Sequence, residues 1–186
     1  TSPVVSGTTA VATTALGQQL VVNALLPLAA TLTITDAENF RDVADMETTR
    51  FRLVIEDPGN PTDIRFLTVL EGLDAGATPS AVQRLQSNGG TPFEGVLVGN
   101  TAILFAVEMA APFASLIYAI PSTVTAQLIT GLAPGGGYDV SSQRSGGQIS
   151  VTLTPGTAYH ADSGGVLALG ALESVTHSVY LPGLWR

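Results

Sequence analysis

The chain has 186 residues, of which 45% are hydrophobic and 12% charged, so it can build its own core and is too apolar to be disordered. Fifteen carboxylates stand against seven arginines and no lysine, which gives a net charge of −8 and leaves no basic surface for nucleic acid or an anionic membrane. Because cysteine is absent, disulfides and thiolate metal sites are excluded.

The N-terminal part of the chain differs in texture from the rest of the sequence. Thr1 to Leu16 consist mostly of Thr, Ser, Ala and Val without a period, which indicates an extended arm, a frayed edge strand or a linker. Residues 17–186 are expected to form a single domain. Its first strands are predicted at Gln19–Leu26 and at Thr31–Thr35, where residues alternate at period two. Asp36–Arg50 is polar and predicts a short helix or a solvated loop.

Further short segments have the alternating, β-branched texture of strands, with turns rich in Gly, Pro and Asn between them. They lie at residues 49–56, 63–71, 95–98, 101–107, 115–120, 123–128, 138–142, 148–154, 165–169 and 174–181. Ser80–Gln86 is a second helix candidate, because Pro79 stands where a first helical turn tolerates proline. This pattern predicts an all-β fold, an antiparallel two-sheet β-sandwich with about ten or more strands and at most short helices in loops.

The most apolar stretch of the chain runs from Ala102 to Ile120. Glu108 and Pro112 interrupt it, and both of its ends alternate at period two. We therefore expect two buried strands there and no membrane insertion.

One segment, Gly131 to Val140, predicts a corner of the sandwich. Pro134 and Gly135 reverse the chain, and Tyr138 then begins an alternating strand. Its hydroxyl can bond back to the backbone just upstream, which is the arrangement called a tyrosine corner.

Five sequence blocks follow one another in a recognisable order between Gln18 and Leu169. They are Leu25-Leu26-Pro27; Arg52-Leu53-Val54-Ile55 with Arg65-Phe66-Leu67-Thr68-Val69-Leu70; Gly95-Val96-Leu97-Val98 with Ile103-Leu104-Phe105; Leu132-Ala133-Pro134-Gly135 with Tyr138; and Ser163-Gly164-Gly165-Val166-Leu167. Their order resembles the C-terminal β-sandwich domain of heparinase II/III-like polysaccharide lyases and related secreted proteins. The resemblance implies an extracellular or cell-surface accessory domain whose partner is a polysaccharide or a neighbouring catalytic domain. The helical toroid that supplies much of the family's catalytic cleft is not among these blocks, so the implied role is noncatalytic.

Two pairs of side chains could serve as acid and base in a lyase. Tyr159 and His160 are adjacent, and His177 lies near Tyr180. Neighbours on a strand point to opposite faces, and neither pair stands in a catalytic motif, so a structural or surface role is expected. We assign no catalytic residue, and a self-contained carbohydrate-active enzyme remains an alternative.

The loop Glu56–Asp63 offers several oxygen ligands of the kind that calcium prefers. It lacks EF-hand spacing, however, and its Asp, Asn, Pro and Gly residues are those of an ordinary turn. We predict no metal and no cofactor, and calcium binding at Asp57 to Asp63 stays an open question.

Three aromatic side chains are candidate contacts to sugar rings, namely Tyr159, Tyr180 and Trp185. Trp185 is the penultimate residue, and the alternative is that it closes one end of the sandwich or docks a neighbouring domain.

A second function is suggested by the apolar arm, Thr1 to Leu16. Lysine often blunts exposed strand edges, and this chain has none. The arm could therefore add a strand to the next copy, as in an extracellular filament or surface-layer subunit that self-assembles by strand exchange.

Overall fold

The computed structural model describes residues 2–36 and 51–170, and these residues are all β, with sixteen strands and no helix. The β-sandwich-like, all-β fold class is thereby confirmed. The chain forms two compact units, which are residues 1–85 with 95–99 and residues 86–94 with 100–186. The prediction of one domain over residues 17–186 stays a prediction.

The strands are short and follow one another along the whole described chain. In order, they are β1 Val4–Ser6, β2 Thr9–Thr13, β3 Gln19–Leu26, β4 Thr31–Asp36, β5 Phe51–Glu56, β6 Leu67–Leu73, β7 Val82–Gln86, β8 Gly89–Gly90, β9 Phe93–Val98, β10 Thr101–Ala106, β11 Leu116–Pro121, β12 Ala126–Thr130, β13 Gly137–Ser145, β14 Gln148–Pro155, β15 Tyr159–His160 and β16 Leu167–Gly170.

The first unit contains an antiparallel sheet in the order β1-β2-β3-β6 and an antiparallel hairpin of β4 and β5. Val21 and Val22 of β3 are both buried, and since consecutive strand residues point to opposite faces, both faces of β3 are covered. Residues of the predicted N-terminal arm form β1 and β2. Because β2 pairs with β3 from Thr9 to Thr13, the arm belongs to this sheet.

The second unit is a sandwich of two layers. One sheet has the order β15-β13-β14-β11-β8, and in the other β12 lies between β10, to which it is parallel, and β16, to which it is antiparallel. Leu116, Tyr118 and Ile120 alternate along β11 and are at most 1% exposed, so they form the inner face of their sheet. The Tyr118 hydroxyl donates a hydrogen bond to the Gln127 side chain on β12, which ties the two layers together.

The helix predicted at Ser80–Gln86 is wrong, because Val82–Gln86 form β7. Leu85 is buried, whereas Arg84 is half-buried and Gln86 is exposed, as in a strand, and the Gly99 N–H donates to the Ala81 carbonyl oxygen at 2.9 Å. Strand partners distant in sequence therefore outweigh the local proline signal. The strand predicted at 174–181 and most of the polar segment Asp36–Arg50 lie outside the described residues.

Within residues 2–36 and 51–170, no element is a helix with the length and apolar character needed to cross a bilayer.

Candidate functional site

The corner at the start of β13 is closed by a hydrogen bond. The Ala133 N–H donates to the Tyr138 hydroxyl at 3.0 Å, which is the contact that the sequence predicts for a tyrosine corner. Pro134 and Gly135 lie in the enclosed turn, and Gly135 has a left-handed φ of 67°. Tyr138 is 3% exposed, and its ring meets the Phe113 ring edge-on, with 5.4 Å between centroids. The corner is thus a packed, fixed element.

Tyr159, the described member of the predicted sugar-contact set, lies directly beside this corner. In the pairing of β13 with β15, Tyr159 stands opposite Tyr138 and His160 opposite Gly137. Tyr159 is 46% exposed although Tyr138 is buried. An aromatic ring is therefore presented at the edge of the sheet.

The edge that carries this ring is held on both sides. Before β15, the Asp139 carboxylate oxygen Oδ1 accepts hydrogen bonds from the N–H groups of Thr157 at 2.9 Å and Ala158 at 3.0 Å. After β15, the Ala161 N–H donates to the Gly136 carbonyl oxygen at 3.0 Å. Backbone contacts on both sides of the two-residue strand therefore fix where the exposed tyrosine stands.

Glycine is required where Asp139 meets the loop. A Cβ atom at Gly156 would lie 2.1 Å from the carboxyl carbon of Asp139, so a side chain at position 156 would displace the carboxylate. At Gly137, a Cβ atom would lie 2.2 Å from the Gly156 carbonyl oxygen. The close approach that holds the loop depends on both glycines.

The electrostatics of Asp139 match this structural role. The N–H groups of Ala158 and Thr157 stabilise the charged carboxylate and hold the pKa of Asp139 below its ordinary range. The group is exposed and ionised at neutral pH, so it acts as a permanent acceptor for the loop.

We expect the loop contact to be lost only in acid. A depressed folded-state pKa contributes stability that is fully present above the unfolded pKa and disappears as the pH falls through the folded value. The amide chemical shifts of Thr157 and Ala158 should therefore be constant near neutrality and should titrate below the ordinary carboxyl range. Asp139→Asn is the matched control and should abolish the step, whereas a step at or above the ordinary range would contradict the assignment.

The structure does not bring the side chains of Tyr159 and His160 together. Their register partners are consecutive residues of β13, so the two side chains point to opposite faces of the edge. Tyr180, Trp185 and His177 lie outside the described residues.

The predicted oxygen-rich loop Glu56–Asp63 is an ordered turn. Oδ1 of Asp57 accepts the Gly59 N–H at 2.8 Å. Across residues 2–36 and 51–170, no three His, Asp or Glu side chains gather as a metal site requires.

Sequence reasoning named Tyr159 as a candidate and predicted the corner, but it did not anticipate the contacts of Asp139, Gly137 and Gly156. The partners of Asp139 are 18 and 19 residues away in sequence, and only the register of β13 with its neighbours places them together. The available signal was an aspartate that directly follows the corner tyrosine, together with the Pro-Gly-Thr turn at residues 155–157.

Comparison with known proteins identifies no relative of this chain. No protein-family model matches the chain, and no match is found among curated proteins. A function for this chain is therefore inferred chiefly from the geometry of the edge.

Proposed function

We propose that this chain is a noncatalytic accessory β-sandwich domain of a secreted carbohydrate-active protein, which contacts polysaccharide or packs beside a catalytic unit. The observation that carries the proposal is Tyr159, a residue that is 46% exposed on an edge anchored on both sides. The ordered sequence blocks that resemble the heparinase II/III-like C-terminal domain support the same class of role.

The ring suits a sugar for physical reasons. A pyranose has an apolar face of C–H groups and a rim of hydroxyls, and an aromatic ring can bury that face while the tyrosine hydroxyl bonds to the rim. Tyrosine has only two side-chain torsions to immobilise. Because hydrogen bonds already order the backbone around Tyr159, little further conformational entropy is lost on binding.

Replacement of Tyr159 with alanine should weaken binding of the intact chain to its polysaccharide by about tenfold, which corresponds to about 1.4 kcal/mol. Affinity electrophoresis against a panel of neutral and acidic polysaccharides would identify the ligand and compare the variants. Tyr159→Phe keeps the ring and should keep most of the affinity. The matched control is Phe105→Ala, because Phe105 on β10 is 42% exposed and should have no role. Equal losses in Phe105→Ala and Tyr159→Ala would refute a specific contact.

Assembly by strand exchange makes a different demand on the structure. The arm is already paired, since Val5 lies opposite Ala10 and Ala10 opposite Val22, so it would have to leave its own sheet to join another copy. We expect a monomer in size-exclusion chromatography with light scattering. Regular high-mass species that disappear on deletion of residues 1–16 would instead favour the structural subunit.

A further inference from the structure

A groove of about 440 Å³ lies in the first unit, at the end of the β4–β5 hairpin where Thr31 pairs with Glu56. Its walls combine the polar side chains of Glu56, Asp57 and Asn60 with apolar ones, of which Phe66 is the largest. The groove shares no residue with the edge that presents Tyr159.

The loop that forms the groove is ordered by its own contacts. The Asp57 carboxylate accepts the Gly59 N–H at 2.8 Å, and the Asn60 N–H donates to the Asp57 carbonyl oxygen at 3.2 Å. Asn60 takes a left-handed φ of 45°, which asparagine tolerates better than most residues. Pro58 and Pro61 have fixed φ angles. A ligand therefore meets a loop with little freedom left to lose.

The side chains offer the two kinds of contact that a sugar makes. Phe66 is 53% exposed, so its ring can cover an apolar sugar face. Among the described residues, no hydrogen bond engages the Glu56 carboxylate or Oδ2 of Asp57, and both can accept hydroxyl protons. The Asn60 amide can donate to a hydroxyl as well as accept from one.

The charge of the groove decides which sugar fits. Its described lining contains two carboxylates and no cationic side chain. A uronate or sulfate group would be repelled by the carboxylates, whereas an uncharged hexose or pentose would not. From this we infer that the groove binds a neutral sugar unit of a polysaccharide. The inference rests on the proposed function for its class of ligand and adds a second, charge-selective contact.

The intact chain should bind at least one neutral hexasaccharide from a panel of cellohexaose, laminarihexaose and xylohexaose, measured by NMR titration. Phe66→Ala should weaken that binding at least about tenfold, and Phe66→Trp should retain it. Leu70→Ala is the matched control, because Leu70 is 64% exposed in the same unit and does not line the groove.

Glu56→Gln tests the effect of charge separately. It keeps the hydrogen-bonding oxygen, so binding of the neutral sugar should change by less than about threefold, while binding of hexagalacturonate should become tighter. The inference is overturned if no neutral hexasaccharide binds, if Phe66→Ala binds as the wild type does, or if hexagalacturonate, a chitosan hexamer or calcium chloride alone is the preferred ligand of the groove.

The two sites can fail independently. Short neutral oligosaccharides should bind Tyr159→Ala with wild-type affinity if the groove is their site. If Tyr159→Ala lost that binding and Phe66→Ala kept it, the proposed sugar site in the groove would be refuted, and the proposed contact at Tyr159 would stand. If instead Phe66→Ala lost oligosaccharide binding and Tyr159→Ala kept both oligosaccharide and polysaccharide binding, the proposed contact at Tyr159 would be refuted, and the proposed site in the groove would stand.

Discussion

Replacement of Tyr118 with alanine should destabilise the second unit by about 3–5 kcal/mol, the usual cost of deleting a fully buried aromatic ring. The Tyr118 side chain has no exposed surface and stands on β11 between the two layers of the sandwich. The substitution opens a cavity and also removes the hydrogen bond to Gln127. Urea denaturation followed by circular dichroism would measure the change in the free energy of unfolding.

Tyr118→Phe distinguishes the contribution of the ring to stability from that of the hydroxyl. It removes only the hydrogen bond, and because the Gln127 side chain is half-buried and can turn toward water, the loss should be about 1 kcal/mol. Burial holds the pKa of Tyr118 well above its ordinary value, so the hydroxyl stays a donor throughout the pH range of such experiments. An equal loss in Tyr118→Phe and Tyr118→Ala would contradict the assignment of most of the stability to packing.

Gly165→Ala should destabilise the same unit by about 3 kcal/mol, from two causes that add. The residue has a left-handed φ of 75°, and a Cβ atom there would lie 2.3 Å from the Leu132 carbonyl oxygen. The obstacle is backbone held in place, since the Leu132 N–H donates to the Gly165 carbonyl oxygen at 3.1 Å. Thermal and urea unfolding would report the loss.

Alanine substitutions at two nearby glycines distinguish the effect of the left-handed φ from that of the steric clash. Gly135 has a φ of 67° with open space around the Cβ position. Gly135→Ala should therefore lower the free energy of unfolding only through the strain of a left-handed φ, by about 1 kcal/mol. Gly164 has no left-handed φ, and its nearest contact is the Asp162 carboxylate at 3.3 Å, so Gly164→Ala should change stability by less than about 0.5 kcal/mol. Equal effects of Gly164→Ala and Gly165→Ala would refute the clash.

The tyrosine corner could be predicted from the sequence because its parts are local. Ala133 and Tyr138 are only five positions apart in sequence, and proline and glycine signal the turn between them. The strand at 115–120 was equally accessible, since alternation of large apolar residues directly reflects one buried face, and the structure places it at Leu116–Pro121. The strand β7 could not be predicted in this way, because its two apolar residues, Val82 and Leu85, are three positions apart and do not alternate.

Individual residues of the candidate sites could be named from the sequence, but the long-range contacts that complete each site could not. Tyr159 was identified as an aromatic residue, but the Asp139 contact that fixes its backbone spans 18 residues. The loop Glu56–Asp63 was identified as a turn with oxygen ligands, but the groove also needs Thr31, which strand pairing brings to Glu56 across 25 residues. Register between distant strands decides both sites, and alternation within one strand does not encode it.

The measurement that tests the central claim most directly is an NMR titration of the intact chain with a polysaccharide that it retains in affinity electrophoresis. The proposal predicts that the ring signals of Tyr159 and the amides of β15 shift on binding, while the Phe105 ring on β10 does not respond. Retention of polysaccharide with unchanged Tyr159 signals, or failure of every polysaccharide to bind, would contradict the proposed function.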